Sequence, residues 1–135
     1  MKTIITLSTF LLLSITVSAQ EFKFEKEVID YGKINQNANG KRTFEFTNIG
    51  NQPLIITRVQ SSCGCTIAKK PEKPIMPGEK GKITVSYATN RLGGFHKSIT
   101  VFSNAKIKLK RLQIKGYVAT KLLLEKEKSM LSNDF

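Results

Sequence analysis

The chain has no tryptophan, one histidine (His96), two cysteines and ten acidic residues among 135. Each shortage closes a class of function. A single histidine leaves no imidazole cluster for a metal and no second imidazole to share proton transfer, and none of the acids stands in a motif that spaces two carboxylates for acid–base work. No nucleophile elbow, phosphate-binding glycine loop or zinc-binding helix motif occurs. The expectation from these absences is a protein that is not an enzyme, with His96 serving as an ordinary polar side chain and no cofactor bound.

Long apolar runs are also missing, with one exception at the start. Lys2 is followed by an apolar stretch from Ile4 to Val17, and Val17-Ser18-Ala19 has the small residues of a processing site. These features predict a secretory signal peptide over residues 1–19. The stretch is shorter than the roughly 20 residues a spanning helix requires, and no later segment is apolar enough to cross a bilayer. The expected mature protein is therefore secreted or periplasmic and not transmembrane. Gln20-Glu21-Phe22 follows, so no lipid-bearing cysteine is expected there.

What the chain has in excess is positive charge: 22 Lys and Arg give a formal net charge of +12 at pH 7. A charge of this size favours encounters with anionic surfaces such as phosphate-rich lipids or polyanionic glycans. Nucleic acid is not the expected partner, because the basic residues are scattered and form no recognisable binding motif. A second role for the lysines is to keep outward strand positions soluble and edges unpaired.

From Phe22 onward apolar residues recur with period two in short segments punctuated by Gly, Pro and Asn, which predicts strands. Expected strands cover 27–31 (ended at Gly32), 41–49, 54–59, 66–67, 81–89, 95–102 and 106–119. The stretch 71–81, with Pro71, Pro74, Pro77, Gly78 and Gly81, reads as a loop. About seven short strands at regular spacing predict an all-β fold, an immunoglobulin-like antiparallel β-sandwich, as one domain over 20–120. The tryptophan and inter-sheet cysteine pair of antibody domains are lacking, so the expected core is Phe44, Phe46, Ile56, Val59, Ile83, Val85, Tyr87, Phe95, Ile99, Val101, Leu112, Ile114 and Val118. The tail, 121–135, is expected as a short helix or as disorder.

Both cysteines lie in Ser61-Ser62-Cys63-Gly64-Cys65-Thr66, at the end of the strand 54–59. Three readings stand side by side. Cys63 and Cys65 form a disulfide or redox pair, permitted in an oxidising compartment, with Gly64 relaxing the backbone between them. Alternatively they hold a soft metal such as Cu(I), with Met76 or His96 assisting. Or the Cys-Gly-Cys turn packs structurally under the Pro-rich loop.

Val59-Gln60-Ser61-Ser62-Cys63-Gly64-Cys65-Thr66, then Pro77-Gly78-Glu79-Lys80-Gly81, then Gly94-Phe95-His96 through Asn104 and a closing Leu112-Gln113-Ile114-Lys115-Gly116, resemble the bacterial "domain of unknown function 1573" family. Phe44-Glu45-Phe46-Thr47-Asn48-Ile49-Gly50 with Pro53-Leu54 resembles that family's F-x-F-x-N-x-G, P-L pattern. The resemblance runs from about Glu27 to Ala119. It implies an exported Ig-like domain related in fold to major sperm protein and ciliary Ig-like repeats, which are interaction modules. Ser62, Gly64, Thr66, Pro77, Gly78 and Glu79 are its supporting positions around Cys63 and Cys65. The expected function is an envelope or secreted binding module with a protein partner, and the alternative is a thiol-active redox partner or Cu(I) carrier.

Overall fold

The structure, a computed structural model, describes residues 21–133. The expected signal peptide at 1–19 lies outside the described residues. Eight strands form two four-stranded sheets: β1 (Phe22–Phe24), β3 (Lys41–Asn48), β6 (Lys80–Tyr87) and β5 (Thr66–Lys69) in one, in that order, and β2 (Val28–Asn35), β8 (Leu109–Ala119), β7 (Gly93–Ser103) and β4 (Ile56–Ser61) in the other. The sheets face each other as an immunoglobulin-like β-sandwich.

Alternation in sequence becomes alternation in space. In β3 the side chains of Phe44, Phe46 and Asn48 turn inward, and in β6 those of Ile83, Val85 and Tyr87 do the same. Their register sets Phe44 opposite Ile83 and Phe46 opposite Gly81. The opposite sheet contributes Ile99 and Val101 from β7 and Leu112, Ile114 and Val118 from β8, all fully buried. At one end Tyr87 stacks on Phe95, with ring centroids 3.8 Å apart, and Tyr31 meets Phe95 edge-on at 5.2 Å. Burial raises the Tyr31 hydroxyl pKa above its ordinary value, and Arg42, lying over the same ring, partly opposes this.

Four features depart from the sequence reading. β1 is an eighth strand; three residues are too few to show a period, yet Phe22 and Phe24 join Phe46 in an aromatic cluster with centroids 5.2–6.0 Å apart. Gly32 does not end the second strand. It adopts φ +64°, its amide bonds to Asp30 Oδ1 at 2.8 Å, and β2 continues to Asn35 beyond the irregularity. β2 pairs with β8 in parallel, the one parallel pair in otherwise antiparallel sheets. Val59 is only half-buried because β4 is an edge strand, while Phe24, Tyr31, Leu54, Ile75 and Ala105 join the core.

The tail forms helix α1 (Lys121–Ser132), started by Thr120, whose hydroxyl accepts from the Leu123 amide at 3.4 Å. It buries none of its residues. No described helix is long and apolar enough to cross a membrane.

Candidate functional site

The Cys-Gly-Cys segment is the corner at which the chain passes from the edge of one sheet to the edge of the other, since β4 and β5 are both terminal strands. Ser62 ties the corner to β7 twice: its amide donates to Ser98 O at 2.9 Å and its Oγ accepts from the Ser98 amide at 3.1 Å. Ser61 Oγ accepts from the Cys63 amide at 3.4 Å, and the Thr66 amide closes a turn onto Cys63 O at 3.4 Å. On the far side, Cys65 O accepts from the Ala88 amide at 2.9 Å, which fixes the phase in which β5 enters its sheet. Thr66 is buried, with Oγ1 4.0 Å from Cys65 Sγ.

Cys63 and Cys65 are joined as a disulfide, with Cα atoms 5.3 Å apart, and both are half-buried. Joined in this way, neither sulfur is a thiolate ligand. Among the described residues no three His, Cys, Asp or Glu side chains cluster as a metal site. Met76 lies at the opposite end of the sandwich. His96 sits on the outer face of β7, opposite Lys115, with Nε2 3.2 Å from Gln113 Oε1.

Gly64 is exposed, its φ lies outside the left-handed region, and a Cβ added there meets nothing within 4 Å. The corner therefore requires of Gly64 neither a left-handed backbone angle nor the absence of a side chain. Closing so small a ring restrains the unfolded chain by only about 1.6 kcal/mol in the loop-entropy account. Two outcomes follow. Gly64→Ala should melt within a few degrees of the parent, and Cys63→Ser/Cys65→Ser should remain folded while losing about 1.5 kcal/mol, both read by thermal denaturation.

The second half of the signature lies elsewhere. β5 runs from the corner antiparallel to β6, from opposite Tyr87 to opposite Thr84, so the Pro-rich loop that follows it leads away from the corner, and its turn at 77–79 joins the far end of β6, about 25 Å from Tyr87 at ~3.3 Å per residue. The Cys-Gly-Cys turn therefore does not pack under that loop. Pro77, Gly78 and Glu79 instead form a turn clasped to the end of β3. Gly78 adopts φ +80° and donates to Asn48 O at 2.8 Å, the Asn48 amide donates to Glu79 O at 3.0 Å, and Glu79 Oε2 accepts from the Met76 amide at 3.1 Å. The Asn48 side chain, fully buried, donates from Nδ2 to Gln52 O and Ile75 O, both at 2.8 Å, and accepts at Oδ1 from the Gly50 amide at 3.0 Å. Leu54 and Ile75 exchange two backbone bonds of 2.8 Å beside it. The available signal for Asn48 is its place in the inward phase 44, 46, 48: a polar residue at a core position must find partners.

The sequence profile of the family described as "Protein of unknown function (DUF1573)" matches residues 22–118. The chain belongs to this family. The matched range begins at the first residue of β1 and ends within β8, so α1 lies outside the matched DUF1573 unit. No curated protein matches the chain.

Among solved structures, the DUF1573 domain resembles a protein of unknown function from Porphyromonas gingivalis, with TM-score 0.65, 18% identity and coverage of 78% of this chain and 51% of that one. The chain thus spans about half the length of that neighbour. It also resembles the ASH/PapD-like domain 7 of human CEP192 (TM-score 0.62, 9% identity, 76% and 87% covered). A third is a chain of the chaperone–tip adhesion subunit pre-assembly complex CsuC–CsuE of Acinetobacter baumannii (TM-score 0.51, 15% identity, 75% and 57% covered). At these identities the likeness establishes the PapD-like, Ig-like fold.

Proposed function

We propose that the protein is an exported, non-catalytic binding module that receives an extended segment of a protein partner along the open edge of β5. The observation that carries this reading is the state of that edge. β5 pairs with β6 on one side only. Because Cys65 O bonds to Ala88, the bonded positions on β5 alternate through Ile67 and Lys69, and the backbone groups of Ala68 point away from the sheet. Ile67 stands beside them 65% exposed.

The other edges carry the guards that discourage pairing. β1 has only three residues. β2 is interrupted at Gly32 between the charged Asp30 and Lys33. β4 has an irregular register between Ile56 and Arg58. β5 is itself short, four residues ending in Lys69, but its register is unbroken from Thr66 to Lys69, and the disulfide corner sets where it begins. The signature at Cys63 and Cys65 is then a fixture that holds an edge in register, and strand addition is the mode of recognition. Support from relatives is of one kind: the Csu complex pairs a chaperone with an adhesion subunit. Export is supported by the signal-like residues 1–19.

The test removes the edge donor. Proline is tolerated on an edge strand where the amide faces outward, so Ala68→Pro should fold while recovering less than about a tenth of the partner that the parent protein recovers from envelope extracts. Ile67→Lys should act in the same direction through charge. Equal recovery by the parent and both variants would refute the reading.

A further inference from the structure

The strongest unassigned feature is the β7–β8 hairpin, at the end of the sandwich opposite the cysteines. Its tip reads Lys106-Ile107-Lys108-Leu109, and Ile107 and Leu109 are 66% and 54% exposed. These apolar side chains do not belong to a loose loop. The Ser103 amide bonds to Lys108 O at 3.0 Å, the Ala105 amide bonds to Ser103 Oγ at 3.2 Å, and Ala105 is buried. Asn104 locks the hairpin to the start of β4: its amide donates to Ile55 O at 3.2 Å, its Oδ1 accepts from the Ile55 amide at 2.9 Å, and its Nδ2 donates to Pro53 O at 3.1 Å. Ile55 is itself 45% exposed. A rigid turn therefore holds three large aliphatic side chains toward water.

The charged residues of the tip itself, Lys106 and Lys108, are both basic, while Glu79, at the same end of the sandwich, accepts from the Met76 amide. Lys106 and Lys108 flank Ile107 and make no ion pair among the described residues. On the adjoining outer face of the sheet the register sets Leu109 opposite Phe102 and Phe102 opposite Arg58, whose guanidinium lies 4.1 Å from the Phe102 ring centroid. Arg111 follows on β8. The outer-face acid Asp30 lies on β2 and is engaged by Lys115, and Glu27, just before β2, is engaged by Lys110. Aliphatic side chains at a fixed tip, ringed by unpaired lysine and arginine, match the boundary of an anionic bilayer, where the apolar groups enter the acyl region and the cations remain among the phosphates.

We propose that this hairpin docks the protein on an anionic phospholipid surface, with Ile107 and Leu109 inserted and Lys106, Lys108, Arg58 and Arg111 at headgroup level. The cysteine corner and the start of β5, at the other end, would then face away from the membrane. The proposal does not rest on strand addition at β5, because it concerns the other sheet and the other end.

The test uses the protein recovered after export and signal removal, with vesicles of equal parts phosphatidylglycerol and phosphatidylcholine, and with pure phosphatidylcholine as the neutral counterpart. At low salt the parent should pellet with the anionic vesicles and not with the neutral ones. Ile107→Ser/Leu109→Ser should weaken partitioning roughly a hundredfold, and Lys106→Glu/Lys108→Glu about tenfold or more. Because the chain has no tryptophan, Ile107→Trp supplies a single reporter whose emission should shift to shorter wavelength on anionic vesicles and stay unshifted with dextran sulfate. An unshifted tryptophan on vesicles overturns the proposal, as does pelleting of the serine variant equal to the parent, since binding would then be charge alone. Failure of the parent to pellet also overturns it.

Discussion

Asn48→Ala is expected to lower stability by about 3 kcal/mol, reckoning each hydrogen bond at about 1 kcal/mol, and to lower the melting temperature by roughly 15 °C for a domain of this size. The side chain makes three hydrogen bonds from a fully buried position, and each partner is a backbone group of the loops that close this end of the sandwich. Alanine leaves Gln52 O and the Gly50 amide without their side-chain partner, and leaves a void as well. Asn48→Asp should be worse, because it replaces two donations with a buried negative charge facing two carbonyl oxygens. Asn104→Ala supplies the contrast: it also removes bonds to loop backbone, but the residue is exposed and water can replace them. Thermal melts of the three variants should therefore rank Asp below Ala at position 48, with Asn104→Ala nearest the parent. A loss under a few degrees for Asn48→Ala would show that the loops close without it.

That clasp explains why one signature divides between two ends of the molecule. The phenylalanines and the asparagine of Phe44-x-Phe46-x-Asn48 are one inward phase of β3, and Pro77-Gly78-Glu79 is the turn that Asn48 holds. Cys63-Gly64-Cys65 belongs to the other end. Their order in sequence gave no sign of this separation, because the direction of β5 depends on which strand it pairs with. Long-range pairing was hidden for the same reason in β2, whose parallel partner β8 is some eighty residues away.

What was legible had a local period. Phe44, Phe46, Ile83, Val85, Tyr87, Ile99, Val101, Leu112, Ile114 and Val118 all occupy the core their alternation assigns. The position of the cysteines at the end of a strand was legible too, but not their place at the corner between the sheets. β1 was missed because three residues have no measurable period. Gly32 misled because a left-handed glycine can bulge a strand as readily as end it.

Gly81 faces Phe46 across the β3–β6 ladder, and a Cβ added to Gly81 would lie 2.3 Å from Phe46 Cζ and 2.7 Å from Cε2. The ring cannot swing aside, because Phe22 and Phe24 pack against it with centroids at 6.0 and 5.2 Å and it is fully buried. Gly81→Ala must then spread β3 from β6 or displace the aromatic cluster, and overpacking of this kind costs about 2–3 kcal/mol. Phe46→Leu alone should cost about 1–2 kcal/mol through lost packing. If collision with the ring is the cause, the shorter leucine makes room for the new methyl, and Gly81→Ala/Phe46→Leu should be more stable than the sum of the single losses by about 1 kcal/mol or more. Chemical denaturation of the four proteins measures this coupling. Strict additivity would mean that Gly81 is required by its backbone, independently of the ring across from it.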